Sequence, residues 1–417
     1  MTLLAIFIAL VFLHSLVSGR LERTVLTAPI VFTGLGMLVL LLLPELRDMK
    51  LHPITLLRVA ESGLVLLLFT DASRTDLRVL RNMGNLPARL LSTGMLLTLL
   101  LGALAALILF PQLTIWEAGI LAAILAPTDA GLGQVIVTSP RVPLRIRQAL
   151  NVEAGLNDGL SVPFLLFFIA LADPTGEGRR ASFTQFIVEQ LGYGTLIGVA
   201  IGLAGGGLLG MAHRRKWMAH SWQQLGVVAL PALCILASET AGASMFIAAF
   251  VAGLAVQVGF KEAGEHSVEF TEEWGQLLNL GVFFIFGLIA ARDCHLFTDA
   301  LVLYAVLSLT VVRMLPVAIA LLAARLSRST LLFMGWFGPR GLASIVLGMV
   351  YLEHGAQHPG ETTIRLAVMV TVLLSIFAHG LTALPGISLY ATSVEALDAD
   401  APERQGATAT ETERVPE

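Results

Sequence analysis

Two groups of polar and acidic residues lie inside apolar stretches of the chain, where charged side chains are rare. The first is Thr128-Asp129, directly after Pro127, and the second is Glu153 with Asn157-Asp158. A carboxylate at the centre of a bilayer costs about 3 kcal/mol, so such residues are usually kept where a charged species is bound or transferred. Together the two groups offer the oxygen ligands that a small monovalent cation accepts, and acids that can take up a proton.

The spacing of the second group separates its acids into different directions. On a helix, Glu153 and Asn157 share one face, whereas Asp158 lies beside Ser161, three residues later. Glu153 and Asp158 are five residues apart, so they can have different roles, and Ser161 is a further candidate ligand. No histidine or cysteine accompanies the group in the sequence, which argues against a transition-metal site.

A single buried carboxylate is sufficient to couple a cation to a proton. Protonated Asp158 is neutral, and Asp158 with a bound monovalent cation is neutral in sum, so either loaded form can cross a region of low dielectric constant. The bare anion cannot do so cheaply. Because Asn157 stays neutral, one proton per cation is the simplest stoichiometry. Two protons per cation become possible if Asp129 also titrates.

The elements that position these residues belong to an integral membrane protein. Of the 417 residues, 56% are hydrophobic and 13% are charged, against about 25% charged residues in soluble proteins. The sequence predicts an all-α protein with about thirteen transmembrane helices, numbered here as spans 1 to 13, at 3–19, 24–44, 54–71, 87–110, 115–139, 146–172, 185–212, 222–240, 243–260, 275–291, 298–324, 329–352 and 363–390. We interpret the first as a retained helix rather than a signal peptide.

The chain is expected to form one membrane domain, residues 1–391, followed by a short acidic tail at 392–417. The tail is predicted to be disordered because it is rich in Asp, Glu, Pro, Thr and Ala and poor in large apolar residues.

Basic residues predict the orientation of the chain. They are concentrated in the odd-numbered loops, at Arg20, Arg23, Arg74, Arg78, Arg81, Arg89, Arg141, Arg145, Arg147, Arg214, Arg215, Lys216, Lys261, Arg325 and Arg328. The even-numbered loops hold fewer, namely Arg47, Lys50, Arg179, Arg180 and Arg292. Cytoplasmic loops carry the excess of Lys and Arg. The odd loops are therefore predicted to be cytoplasmic, with the N-terminus outside and the C-terminus inside.

Two of the spans are interrupted at corresponding places. Span 5 contains Pro127 and span 12 contains Gly338-Pro339-Arg340-Gly341. Proline removes a backbone N–H, and non-helical backbone at membrane depth is tolerated only where it is buried or lines a cavity. Because the two spans are seven apart, spans 1–6 and 8–13 would form inverted repeats, which is typical of secondary transporters with a site at mid-membrane. The alternative is that Gly and Pro are simply frequent in membrane helices.

These motifs resemble the cation/proton antiporter superfamily, in its sodium/proton exchanger branch of NhaP type. The resemblance rests on Thr128-Asp129, Glu153 with Asn157-Asp158, and 338–341, and on the segment Glu239–Leu254. It covers about residues 55–390. It implies an NhaA-like antiporter fold of thirteen helices, a homodimer in the plasma (inner) membrane, and a moving core that contains spans 5, 6, 12 and 13.

The resemblance also implies roles for individual residues. Asp158 matches the essential carboxylate that binds the cation or the proton, and Asp129 with the backbone of Thr128 matches ligands from the broken helix. Asn157 matches the residue that distinguishes this branch from electrogenic relatives. Glu153 and Arg340 match a buried ion pair.

Two positions depart from the pattern of the family. Ala154 replaces a small hydroxyl residue, and Phe69-Thr70-Asp71-Ala72 replaces Phe-Glu-Gly-Gly. Asp71 is either a substitute ligand or an interfacial acid paired with Arg74, and the sequence leaves both open.

Three further charges lie within or near the ends of apolar spans. Glu61 is expected to pair with a basic neighbour such as Arg58, although a direct transport role stays open. Glu239 and Arg313 can form a second pair, or Arg313 can cap carbonyl groups of a broken helix.

The leading hypothesis is a transporter that exchanges Na⁺ for H⁺ by alternating access, with K⁺/H⁺ exchange as the alternative and a K⁺ channel less favoured. No filter-like repeat of carbonyl groups supports a channel, and no catalytic motif supports an enzyme. Beyond the lipid bilayer, the expected partners are monovalent cations (Na⁺, K⁺ or Li⁺) and protons, without a cofactor or nucleic acid.

Overall fold

The structure is a computed structural model of the chain. It describes residues 2–21, 24–48, 53–74, 86–172, 186–260, 269–354, 359–398 and 401–403. Within these ranges the regular structure is entirely helical. Among the residues that carried the orientation argument, Arg23, Lys50, Arg78, Arg81, Arg179, Arg180 and Lys261 lie outside the described ranges.

The described residues before position 173 form seven α-helices. They are α1 (Thr2–Leu21), α2 (Ala28–Leu42), α3 (Pro53–Arg74), α4 (Leu86–Leu109, with a π-helical turn at Leu90–Gly94), α5 (Ile115–Leu125), α6 (Ala130–Thr138) and α7 (Leu144–Ala172).

The described residues from position 186 onward form nine more α-helices. They are α8 (Gly194–Arg214, after a π-helical segment at Phe186–Tyr193), α9 (His220–Ala241), α10 (Met245–Gly259), α11 (Glu269–Asp293), α12 (Asp299–Leu309), α13 (Val311–Leu321), α14 (Arg328–Trp336), α15 (Leu342–His354) and α16 (Glu361–Glu395).

Many of these helices match the thickness of a bilayer. Eight are long and apolar enough to cross one on their own, at Leu3–Leu21, Leu86–Leu109, Leu144–Ala172, Leu191–Arg214, Trp222–Ala241, Phe270–Leu296, Asp299–Ala324 and Glu361–Glu395. Shorter apolar helices lie at Ala28–Leu42, Ile115–Ile124, Met245–Gly259 and Leu342–Glu353. Helical structure thus occupies each predicted apolar span. The count of thirteen crossings and the inverted repeats stay predictions.

Two sets of helices pack mainly within themselves. In one set, α2 packs against α11, α10 against α8 and α3, and α11 against α3. In the other, α4 packs against α5, α5 and α6 against α7, α12 and α15 against α16, and α13 against α14. Helix α3 also contacts α7 and α15 of the second set, so it connects the two sets.

A buried glutamate ties the starts of two helices in the second set. Thr114 and Glu117 form a capping box at the N-terminus of α5, where the Glu117 carboxylate accepts the Thr114 N–H at 2.8 Å. Its other oxygen accepts the N–H of Gly360, directly before α16, at 2.8 Å. Glu117 is only 2% exposed, and these donors satisfy its carboxylate.

The predicted boundary of the disordered tail is wrong. Helix α16 continues to Glu395, and Pro402 and Glu403 are packed against the membrane domain rather than free. Glu403 is 2% exposed. The sequence could not reveal this, because a short polar segment acquires order only from partners distant in the chain. Residues 404–417, where disorder was also predicted, lie outside the described residues.

Candidate functional site

The two predicted breaks meet each other in the middle of the second set of helices. Residues 126–129 separate α5 from α6, and residues 337–341 separate α14 from α15. The N–H of Asp129 donates to the carbonyl oxygen of Pro339 at 2.8 Å. Each break therefore supplies a partner for backbone groups that the other has lost from helical bonding.

Asp129 caps two half-helices at once. One carboxylate oxygen, Oδ1, accepts the N–H of Leu132 in the first turn of α6 at 3.0 Å. The other, Oδ2, accepts the N–H of Leu342, the first residue of α15, at 2.6 Å. A Cβ on Gly341 would collide with this carboxylate, so glycine permits the close approach. The negative charge thus lies at two helix N-termini, where the helix dipoles stabilise it.

Arg340 interacts with a helix C-terminus, whereas Asp129 interacts with two helix N-termini. Its guanidinium Nη1 donates to the carbonyl oxygens of Ala126 at 2.9 Å and Pro127 at 3.1 Å, at the C-terminal end of α5. Its backbone N–H donates to the hydroxyl of Ser375 on α16 at 2.6 Å. Arg340 is fully buried, and it neutralises the negative end of a half-helix.

The expected ion pair between Glu153 and Arg340 is wrong, because Glu153 is paired with Arg313. The two Arg313 nitrogens donate to the two Glu153 oxygens at 2.5 and 2.9 Å, and both side chains are buried. Gly338 leaves room for the Arg313 guanidinium beside the break, since a side chain there would collide with it. Arg340 meanwhile points toward the carbonyl groups of the other break.

Thr128 and Asn157 form a reciprocal pair between the break and α7. The Thr128 N–H donates to Asn157 Oδ1 at 3.2 Å, and Asn157 Nδ2 donates to Thr128 Oγ1 at 2.7 Å. Both residues are buried. The amide of Asn157 thus fixes the position of Thr128 without adding a charge to the site.

Asp158 is the acid of this site with an uncommitted oxygen. Its Oδ1 atom is buried and accepts no hydrogen bond from the residues that the structure describes. Asp129, Asp71 and Arg340 are the charged groups close enough to act on its carboxylate. The hydroxyl of Ser161, a candidate ligand from the sequence, donates instead to the backbone carbonyl of Asp158 at 2.8 Å.

Asp71 approaches the same face of α7. The Cβ of Asp71 lies 3.2 Å from the position that a Cβ on Gly155 would occupy, one helical turn before Asp158. Arg74, the alternative partner considered for Asp71, has an ion pair with Glu272 at 2.6 Å and is also among the charges that act on Asp71. The position of Asp71 beside Gly155 is compatible with a role as a ligand.

The remaining predicted charges lie apart from this site. Arg58 contacts Glu61 at 3.5 Å, as expected, and Glu239 at 2.5 Å. Of the two alternatives for Arg313, the pair with Glu239 is wrong, because Arg313 is buried against Glu153. In this cluster Arg58 and Glu239 are exposed, whereas Glu61 is buried.

A small cavity of about 20 Å³, partly open to solvent, lies beside Thr128 and Asp129. Its polar lining includes Thr128, Asp129 and Asn151, and its apolar lining includes Val137 and Phe337. Asn151 is seven residues before Asp158 on α7, so the two residues lie on the same helix face. The cavity therefore gives solvent a route toward the site.

Sequence reasoning did not identify Ser375 as a supporting residue. Its hydroxyl accepts the Arg340 N–H and lies 3.1 Å from Nδ1 of His379, which is also buried. A serine and a histidine four residues apart on one helix were the available signal, but nothing in the sequence relates them to residue 340.

Fold and site together define a helical membrane transporter built around two crossed, broken helices. Residues 4–386 match the family described as sodium/hydrogen exchanger, transmembrane, and the chain belongs to this family. Its fold is also that of a solved antiporter. The structure of the sodium proton antiporter MjNhaP1 from Methanocaldococcus jannaschii at pH 8 covers 95% of this chain and 99% of its own, with a TM-score of 0.75 and 18% identity.

Some curated relatives are named as sodium/proton antiporters and others as potassium/proton antiporters. A Na(+)/H(+) antiporter of Schizosaccharomyces pombe is 29% identical over 153 residues, 35% of this chain and 32% of the relative. The K(+)/H(+) antiporter NhaP2 of Shewanella sp. (strain MR-4) is 25% identical over 272 residues, 64% of this chain and 46% of the relative. The chain thus spans about a third to a half of the length of these relatives.

Proposed function

We propose that the chain exchanges Na⁺ for H⁺ across a membrane by alternating access, with Asp158 as the shared carboxylate. The observation that supports this proposal is that the three acids beside the two broken helices have different hydrogen-bond partners. Asp129 accepts hydrogen bonds on both oxygens and Glu153 is neutralised by Arg313, whereas Oδ1 of Asp158 is buried without a partner among the described residues. A desolvated carboxylate of this kind favours a bound cation or proton.

The surrounding oxygens complete a site for a monovalent cation. The carbonyl of Thr128 lies in the break, outside helical bonding, and Asp129 adds negative charge beside it. Asp71 is the candidate ligand from α3. Ser161 contributes through the backbone of Asp158 rather than as a direct ligand.

The geometry supports one proton per cation. Asp129 accepts backbone N–H groups of two half-helices, and protonation would weaken these bonds. Asn157 carries no charge. Asp158 alone therefore alternates between proton and cation, and both loaded forms are neutral in sum.

We also infer a topology and an assembly from the sequence and the family resemblance. The cavity is lined by Ile136 and Val137 near the end of α6 and by Leu150 and Asn151 near the start of α7. The loop between these two helices carries Arg141 and precedes Arg145. The positive-inside rule predicts that side to be cytoplasmic, so the arrangement corresponds to an inward-facing transporter. A homodimer in the inner membrane, with inverted repeats and the N-terminus outside, completes the proposal.

The decisive experiment is a flux measurement in proteoliposomes. With an imposed pH gradient, external Na⁺ is expected to dissipate the gradient, and Asp158→Asn is expected to abolish the response because the amide neither loses a proton nor carries a charge. Asp299→Asn, a matched change at an exposed acid, should leave the flux intact. Normal exchange by Asp158→Asn would exclude the proposal.

The choice of cation is tested in the same vesicles. The Shewanella relative supports K⁺/H⁺ exchange as the second candidate, and parallel titrations with Li⁺, Na⁺ and K⁺ separate the two. With the membrane potential clamped by valinomycin and K⁺, one-for-one Na⁺/H⁺ exchange should not respond to the potential. A strong response would instead indicate more than one proton per cation.

A further inference from the structure

A short segment after α16 contacts the ends of two other helices. This tail strap, residues 401–403, is held at two points: Arg145 Nη1 at the start of α7 donates to the carbonyl oxygen of Pro402 at 2.6 Å, and Glu403 Oε1 accepts the N–H of Ser327 at 2.7 Å. The same oxygen accepts the hydroxyl of Thr330, on α14, at 2.9 Å. The strap therefore joins α7 to the half-helix α14.

The strap completes the N-terminal cap of α14. Ser327 is the N-cap residue, and its hydroxyl accepts the N–H of Thr330 at 3.2 Å. Glu403 satisfies the N–H of Ser327 itself and brings a negative charge to this helix end. Burial by itself raises the pKa of Glu403, but the hydrogen bonds from Ser327 and Thr330 outweigh it, so the pKa lies below its ordinary value.

A packed row of side chains connects the strap with the cavity. The hydroxyl of Thr330 lies 3.0 Å from that of Tyr390 on α16, and the Tyr390 ring stacks on Phe333 with centroids 4.1 Å apart. Phe333 packs on Phe337 at 4.7 Å, and Phe337 lines the cavity that also contains Asp129. A continuous row of contacts thus runs from the strap along α14 to the cavity and to the break that follows it.

We propose that the tail strap is an intramolecular clamp that holds α14 in the arrangement with the cavity open at this end. Release of Glu403 frees the N-terminus of α14 and shifts the population toward arrangements in which this end of the cavity is closed. This regulation goes beyond ion exchange, and its test does not depend on which cation is carried.

Two truncations separate the strap from the rest of the tail. A stop after residue 403 keeps the strap, whereas a stop after residue 398 removes it. Both are made in a Cys294→Ser background with Asn151→Cys as a reporter, since Asn151 lines the cavity and Cys294 is exposed. The native buried Cys234 reports general unfolding. Mass spectrometry then measures modification of both cysteines by a membrane-impermeant thiol reagent in inside-out vesicles.

Removal of the strap is expected to slow modification of Cys at position 151 about fivefold, the size expected for loss of one helix cap. The reactivity of Cys234 should not change. In the full chain, Glu403→Ala and Thr330→Val should slow modification of the cysteine at position 151 by a similar factor. Asp398→Ala, at an exposed acid just before the strap, and the stop after residue 403 should leave this rate unchanged. If the cysteine at position 151 reacted at the same rate or faster without the strap, the clamp proposal would be wrong. Faster modification of Cys234 would show that the strap only stabilises the fold, which would also contradict the clamp.

Discussion

At the scale of single residues, the acids near the crossing differ because their surroundings differ. Asp129 faces backbone N–H groups, Glu153 faces a guanidinium, and Asp158 has an oxygen without a hydrogen-bond donor among the described residues. Donors and opposite charges favour the ionised form of an acid, and desolvation favours the neutral form. The division of labour among chemically similar side chains therefore follows from what each one contacts.

Asp129→Asn tests the double cap. An amide retains one acceptor oxygen, so it can satisfy Leu132 or Leu342 but must turn its NH₂ group toward the other backbone N–H. An unsatisfied buried donor costs about 1–3 kcal/mol, and we expect a lower thermal midpoint in detergent together with impaired exchange. The comparison is Asp71→Asn, which should reduce exchange with a smaller effect on stability. If Asp129→Asn were as stable as the parent, the cap would have little importance for the fold.

At the scale of elements, each of the two broken helices supplies a charged side chain to a half-helix end of the other. Asp129 neutralises the N-termini of α6 and α15, Arg340 neutralises the C-terminus of α5, and Arg313 lies against Gly338 beyond the end of α14. Each half-helix end in the apolar interior thus meets a charge of opposite sign. The arrangement keeps non-helical backbone buried without a large electrostatic cost.

A double-mutant cycle tests the pairing of Glu153. Arg313→Gln leaves a buried, unpaired carboxylate, which typically costs about 3–5 kcal/mol, whereas the double variant Glu153→Gln/Arg313→Gln should regain most of this stability. The matched cycle with Arg340→Gln should show a much smaller coupling to Glu153, because Arg340 donates to carbonyl groups. Stronger coupling of Glu153 to Arg340 than to Arg313 would contradict the observed pairing. Thermal unfolding in detergent provides the measurement.

At the scale of the whole molecule, the strap joins the end of the described chain to the starts of α7 and α14. Its charge gives it a pH dependence of defined sign. The folded pKa of Glu403 lies below its ordinary value of 4.5. Its contribution to stability is therefore complete above that value and is lost as the pH falls through the lower folded pKa.

The strap should consequently stay closed at neutral pH and open only in acid. We expect the Asn151→Cys reporter to react at a constant rate from neutral pH down to about pH 5, after correction for the thiolate fraction, and then more slowly. Glu403→Gln, which retains an acceptor oxygen but does not titrate, should lack the acid step. An identical acid step in both proteins would assign the transition to another group.

The sequence by itself determined the features that depend on neighbouring residues. Apolar runs predicted helices at the right places, proline and glycine predicted both breaks, and helical spacing separated Glu153 from Asp158. Acids within apolar segments indicated where the polar site lies along the chain. These inferences succeed because hydropathy, helix periodicity and backbone restrictions are local properties.

Only the tertiary structure decided which distant groups meet. Arg313 rather than Arg340 pairs with Glu153 because the packing of α13 and the space beside Gly338 bring its guanidinium there. Asp129 caps α15 as well as α6 because the breaks cross within hydrogen-bonding distance. Glu403 is ordered because Ser327 and Thr330 offer donors to it. Such contacts depend on the directions in which helices pack, and residue spacing along the chain carries no record of those directions.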